Sequence, residues 1–248
     1  MELINPSQFT LPEIPAVRNS ISEILSEQNM NLVSFARKNV PAGVYNLALH
    51  IANHFRLVYP FLGCVRKQLC YPDKSVESSF VYTANTAVEY DAAVSLAKKL
   101  RPCGFFMNFS FNNKTMSVSG RLTNITAYIE FISGAFAELA AAALINKSIS
   151  DLHINDAEVM RNLVIESKDG AQHELDLVVR HGNRLLCIEV KSGTKFCPEQ
   201  LLTATASFSG VCDVAMFSLN TTPEEAQIAH YFSGVPVFIT PSALKRHI

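Results

Sequence analysis

The stretch HELDLVVRHGNRLLCIEVKSG, His173 to Gly193, constrains the fold more than any other part of the chain. Two apolar runs with strand-like alternation flank Gly182-Asn183, a pair suited to a two-residue hairpin loop. Such a loop sets His181 against Arg184, and counting outward sets Asp176 against Glu189. The period of two also puts Glu189 and Lys191 on one face of their strand. Three charges thus converge on a small area of sheet, where facing carboxylates repel and partial burial raises the cost.

A divalent cation would resolve that conflict. Mg²⁺ or Mn²⁺ takes one or two carboxylates and completes its shell with water and substrate phosphate. Lys191 could stabilise developing negative charge or help deprotonate an attacking water, while the metal polarises a phosphoryl oxygen. This chemistry suits phosphodiester hydrolysis.

The 248 residues are 48% hydrophobic and 17% charged, which is globular composition and argues against disorder. Lys and Arg total 21 against 22 Asp and Glu, so any nucleic-acid contact must come from a local patch. Six cysteines (Cys64, Cys70, Cys103, Cys187, Cys197, Cys212) form no C-x-x-C pair, which excludes the usual structural zinc spacing and suits a reducing, cytoplasmic setting. The N-terminal residues lack the basic and apolar regions of a secretory signal. FISGAFAELAAAALI, residues 131–145, is short for a bilayer span and carries Glu138 at its centre, so it reads as a buried helix.

Along the chain, residues 1–80 read as a helical N-terminal region, with a helical pattern from Asn31 to Leu69 in which Pro41 is a start or break, and a polar linker from Tyr71 to Ser79. Residues 81–126 hold a helix over Thr86–Leu100 and a hairpin, CGFFMNFSF-NNK-TMSVSGRLT, a combination that suggests a winged-helix-like segment. Lys98, Lys99, Arg101, Lys114 and Arg121 fall on or near it and are candidates for nucleic-acid binding. Residues 127–248 alternate helix and strand, as an α/β domain with a mixed sheet requires. Its elements are a helix over 127–146, three antiparallel strands separated by Asp169-Gly170 and Gly182-Asn183, a helix over 198–208, and a strand-helix-strand tail.

Asp176, twelve intervening residues, then Glu189-Val190-Lys191 resembles the PD-(D/E)xK nuclease motif of restriction-endonuclease-like folds. Leu175 stands where the motif's name expects proline, a position that supplies no ligand. The resemblance implies metal ligation by Asp176 and Glu189, a catalytic Lys191, a supporting carboxylate from Glu138 on the preceding helix, and an auxiliary Gln200 on the following one. FISGAFAEL together with the hairpin is similar to the nuclease domain of cyclic-oligoadenylate-activated CRISPR ancillary nucleases. That similarity covers roughly the last 150 residues by count of matched segments. It implies a homodimer cutting DNA, RNA or both, with Mg²⁺ or Mn²⁺ as cofactor and no membrane partner. A cyclic-nucleotide activator is implied too, although residues 1–80 show no Rossmann-like sensor.

Two other readings stay open. One is a non-catalytic nucleic-acid-binding or regulatory protein on the same fold; the other is a structure-selective repair nuclease, which shares the chemistry. Glu166, Glu174, His173 and His181 lie near the motif but outside the expected core set.

Overall fold

The computed structural model describes residues 20–36, 40–69, 77–123, 126–193, 206, 208 and 210–247. In chain order these form α1 (Ile21–Glu27), β1 (Asn31–Ser34), α2 (Ala42–Asn53), α3 (Phe55–Leu69), β2 (Glu77–Thr83), α4 (Ala87–Leu100) and a 3-10 turn (Arg101–Cys103). There follow β3 (Phe106–Asn112), β4 (Ser117–Thr123), α5 (Thr126–Glu130) and α6 (Phe136–Asp151). The last elements are β5 (Ala157–Glu166), β6 (Gln172–His181), β7 (Arg184–Lys191), β8 (Asp213–Ser218), α7 (Pro223–Ser233), β9 (Val237–Phe238) and α8 (Pro241–His247). They divide into two compact units, one within 40–140 and the other drawn from 1–39 and 141–248.

The discontinuous unit is built on a six-stranded sheet in the order β1-β5-β6-β7-β8-β9. Pairing is antiparallel from β1 to β7 and parallel from β7 to β9. The switch to parallel pairing requires a crossover, and α7 makes one between β8 and β9. Thr222 caps α7 in a box with Glu225, Pro223 opens its first turn, and Gly234 at φ 71° ends it.

Ser20 and Glu23 cap α1 in the same way, and the helix lays Ile21, Ile24 and Leu25 against Leu163, Ile165, Val178, Leu185 and Cys187 of the sheet. Ile21 and Leu25 are 0% and 1% exposed, so each stabilises the fold by about 1.5–3 kcal/mol through burial. Buried Arg180 clips the turn end of the hairpin. Its guanidinium meets Asp156 at 2.8 Å and Glu158 at 3.5 Å and donates to the Gly182 carbonyl at 3.0 Å. Glu158 also accepts the Ile21 N–H at 2.9 Å, tying α1 to β5.

In the contiguous unit, β2, β4 and β3 form a three-stranded antiparallel sheet. Alternation sends Phe80, Tyr82, Phe106, Val118 and Leu122 to a buried face. Phe61 of α3 packs there edge-on against Phe80 and Tyr82, with ring centroids 5.8 and 5.5 Å away. Gly120 lets β3 and β4 approach where their register shifts, since a Cβ there would lie 2.5 Å from the Asn108 carbonyl oxygen.

The structure corrects the sequence reading in several places. Asn31–Ser34 is not the start of a helix but edge strand β1, paired with β5. Four residues carry too little pattern to show this, and the pairing that decides it is remote in sequence. The supposed linker ends early, because Glu77 already belongs to β2, which adds a third strand to the expected hairpin. The helix expected over 127–146 is interrupted at Gly134 (φ 166°, ψ −30°) and then runs to Asp151. Taken across that kink, Thr126–Asp151 is long and apolar enough to cross a membrane, but 56% of its most apolar window is buried in the protein, as a core helix would be. The helix expected over 198–208 lies largely outside the described residues.

Candidate active site

The Gly182-Asn183 turn, with Gly182 at φ 58°, pairs His181 with Arg184. The β6–β7 ladder runs from there to Leu177 opposite Ile188 and stops, although β6 extends back to Gln172 and β7 on to Lys191. Past that point a side chain replaces the backbone ladder. Asp176 Oδ2 accepts the Val190 N–H at 2.8 Å. On its other side β7 stays paired with β8 as far as Lys191 beside Ser218, and the Lys191 carbonyl accepts the Leu219 N–H at 3.0 Å. One edge of the Glu189–Lys191 segment is therefore fixed by β8, while toward β6 the ladder has given way to Asp176.

Glu189 Oε1 lies 2.5 Å from Lys191 Nζ, and the two side chains are 26% and 32% exposed. Two residues apart on one strand, they share a face and meet without distortion. The expected conflict between the carboxylates is thus met within the chain. Asp176 is compensated by a backbone amide and Glu189 by an ammonium group, so neither requires a cation merely to be tolerated.

Among the described residues, no three His, Cys, Asp or Glu side chains gather closely enough to enclose a metal ion. Asp176 and Glu189 do match the smaller demand of Mg²⁺ or Mn²⁺, which keeps several waters and takes one or two carboxylates. A carboxylate offers about four lone-pair sites, so one accepted bond does not exhaust it. Glu138 is half-buried on the first turn of α6 and belongs to the 40–140 unit, whereas Asp176, Glu189 and Lys191 belong to the other. Gln200 lies outside the described residues.

Of the five basic candidates, Lys98 Nζ sits 5.3 Å from the Phe111 ring centroid and Arg101 5.8 Å from that of Phe109. Lys114 is exposed in the β3–β4 turn, its N–H bonded to Asn112 Oδ1 at 2.9 Å, and exposed Arg121 lies on β4 opposite Ser79 and Asn108. Exposed Lys99 lies in the last turn of α4, and its charge adds to the lowering of the His50 pKa that burial and His54 chiefly cause. Of the residues set aside, His173 packs edge-on against Phe208 at 5.5 Å, and Glu166 accepts from Gln172 Nε2 at 3.4 Å. The sequence reading missed the buried Ser218–Thr221 hydroxyl pair, 2.6 Å apart beside Lys191 in the sheet. A serine in a buried strand carries no signal that would have found it.

Comparison with known proteins bears on this geometry. Residues 133–206 match the NERD family, the nuclease-related domain. That span contains Glu138, Asp176, Glu189, Lys191 and Gln200. The structure resembles protein VC1899 from Vibrio cholerae, with a TM-score of 0.65, 16% identity, and coverage of 92% of this chain and 59% of that one. It also resembles Can2 from Sulfobacillus thermosulfidooxidans, solved with cyclic tetra-adenylate, with a TM-score of 0.60, 15% identity, and coverage of 92% and 57%. The mixed sheet with its flanking helices is a restriction-endonuclease-like fold. This chain spans under three-fifths of the length of either structure. No curated protein matches the sequence.

Proposed function

We propose that the nuclease-related domain is a metal-dependent endonuclease hydrolysing phosphodiester bonds of DNA or RNA. The observation that carries this is the grouping of Asp176, Glu189 and Lys191 where the β6–β7 ladder gives way, inside the NERD match. Asp176 and Glu189 would hold Mg²⁺ or Mn²⁺, which supplies Lewis acidity toward a phosphoryl oxygen and acidifies a bound water. Lys191 places positive charge beside the phosphate, where charge builds as the water oxygen attacks phosphorus and the bond to the leaving oxygen breaks. Glu138 is a supporting carboxylate and Gln200 an auxiliary polar group, each tested by its own alanine variant.

The likeness to Can2 in complex with cyclic tetra-adenylate supports activation by a cyclic oligonucleotide; a defence role and a homodimer follow from the motif's resemblance to the CRISPR ancillary nucleases. The test is Mn²⁺-dependent cleavage of supercoiled plasmid and single-stranded RNA by wild type and Lys191→Ala, with and without a panel of cyclic oligoadenylates. Cleavage by wild type alone supports the assignment; equal cleavage by both rejects it. A second reading, a nucleic-acid-binding protein that does not cut, draws on the Glu189–Lys191 ion pair, which satisfies the site without metal. Metal-independent binding with no hydrolysis under any activator would favour it.

A further inference from the structure

Cys187 of β7 and Cys212, the residue before β8, meet in the discontinuous unit. The parallel register sets Cys187 beside Val214, two residues on from Cys212. Cys187, 4% exposed, lies in the core cluster that α1 covers, and Cys212 packs against that cluster. The Cys187 S–H donates to Cys212 Sγ across 2.7 Å. Both thiols are free, and Cys212 is the half-buried member of the pair. Its backbone is fixed too, since the Val211 and Cys212 N–H groups both donate to the Phe208 carbonyl, at 3.0 and 3.1 Å.

The other described cysteines behave differently. Cys64 donates to the Val81 carbonyl at 3.5 Å and Cys103 to the Lys99 carbonyl at 3.7 Å, so their thiols face backbone oxygen. Cys187 faces sulfur. A disulfide bond of about 2.05 Å asks these two sulfurs to close by only about 0.65 Å. One sulfur is reachable from solvent and the other stands behind it, which supplies an attacking and a resolving thiol in one place.

We propose that Cys187 and Cys212 form a site of reversible oxidation that takes hydrogen peroxide, an inference that goes beyond the hydrolytic reading and does not depend on it. The Cys212 sulfur, its proton given to solvent, attacks a peroxide oxygen. The S–O bond forms as the O–O bond breaks, and the departing hydroxide takes up a proton as water. The Cys187 sulfur then attacks the Cys212 sulfur, so the S–S bond forms and the S–O bond breaks. The Cys187 proton leaves with that hydroxide as a second water, and the two electrons lost by the thiols have reduced the peroxide. Its hydrogen bond to Cys212 and its burial hold Cys187 protonated, so attack begins at Cys212. A dithiol reductant returns the electrons and reopens the bridge. While closed, the bridge encloses Glu189 and Lys191 in a covalent ring.

The test is mass spectrometry of the full chain, reduced and then exposed to hydrogen peroxide at neutral pH, in a chelator, at a dose that oxidises glutathione. Remaining thiols are alkylated in urea before digestion. The expected product is a linked Cys187–Cys212 peptide pair that dithiothreitol abolishes. Peroxide treatment in urea lets Cys212 meet any of the other five cysteines. There loop closure chooses the partner, and the share of the Cys187–Cys212 pair should fall about threefold or more. Cys187→Ala and Cys187→Ser should each lose the pair and raise dimedone-trapped sulfenic acid at Cys212 about fivefold or more, because the resolving sulfur is gone. Cys212→Ser should leave Cys187 a thiol. Melting temperatures of the variants are checked first, and the wild-type result decides even where a variant fails to fold. In the native chain, Cys212 bridged to another cysteine, Cys212 carried to sulfinic acid while Cys187 stays a thiol, or both surviving as thiols would each overturn the assignment. An equal share of the pair in urea would overturn it as well. The plasmid and RNA cleavage assay reports separately on the hydrolytic reading.

Discussion

Asp176 Oδ2 stands 2.8 Å from the Val190 nitrogen, so one carboxylate both closes the β6–β7 ladder and flanks the Glu189–Lys191 pair. These two roles separate by substitution. Asp176→Asn keeps an oxygen acceptor for the Val190 N–H but removes the charge. It should melt close to wild type while losing cleavage. Asp176→Ala leaves the N–H without its acceptor and should also cost about 1–3 kcal/mol in urea unfolding. Equal stability of the two variants would show that the hydrogen bond carries no structural load.

Gly120→Ala places a methyl group 2.5 Å from a backbone oxygen, which cannot rotate aside as a side chain would. The expected loss is about 1–3 kcal/mol, read from the melting of the contiguous unit. An unchanged melting temperature would mean that the β3–β4 register shift relaxes freely.

His50 has its pKa lowered to about 4 by burial, with the charges of His54 and Lys99 adding to the effect. The folded protein therefore holds this imidazole neutral where the unfolded chain, titrating near 6.5, takes a proton. The contribution is fully present above the unfolded value and is lost as pH falls from there toward the folded one. Melting temperature measured across that window should fall less steeply for His50→Gln than for wild type. Parallel curves would remove His50 as a source of acid sensitivity.

Cys187 Sγ lies 2.7 Å from Cys212 Sγ, and both thiols are free. That hydrogen bond and the burial of Cys187 push its pKa well above the usual thiol range. A thiol held protonated is a poor nucleophile, so iodoacetamide at neutral pH should label Cys187 only on unfolding. Rapid labelling of the native protein, located by mass spectrometry, would contradict this.

The hairpin at the site was legible because Gly182-Asn183 leaves so little freedom: a two-residue loop fixes register, and register places Asp176, Glu189 and Lys191 together. Helix α4 was legible from its pattern over Thr86–Leu100, and the structure adds the cap, the Thr86 hydroxyl accepting the Glu89 N–H at 3.2 Å. What Asp176 does was not legible, since its bond to Val190 exists only because the ladder stops after Leu177, and no local pattern encodes that ending. β1 was missed for the same reason, being defined by partners remote in sequence. The basic residues read as one set, but Lys98 and Arg101 lie over aromatic rings, a distinction that depends on α4 packing beside β3.

Ile21 and Glu158, bonded in the discontinuous unit, are 137 residues apart, and the contiguous unit is encoded between them. During synthesis the inserted unit can acquire its own core while β5 to β9 are still untranslated. Strand β1 must wait for its partner. Glu189 and Lys191 gain the support of β8 later still, once Asp213–Ser218 has left the ribosome. The order of translation thus delays the grouping of Asp176, Glu189 and Lys191 until nearly all the described chain has been made.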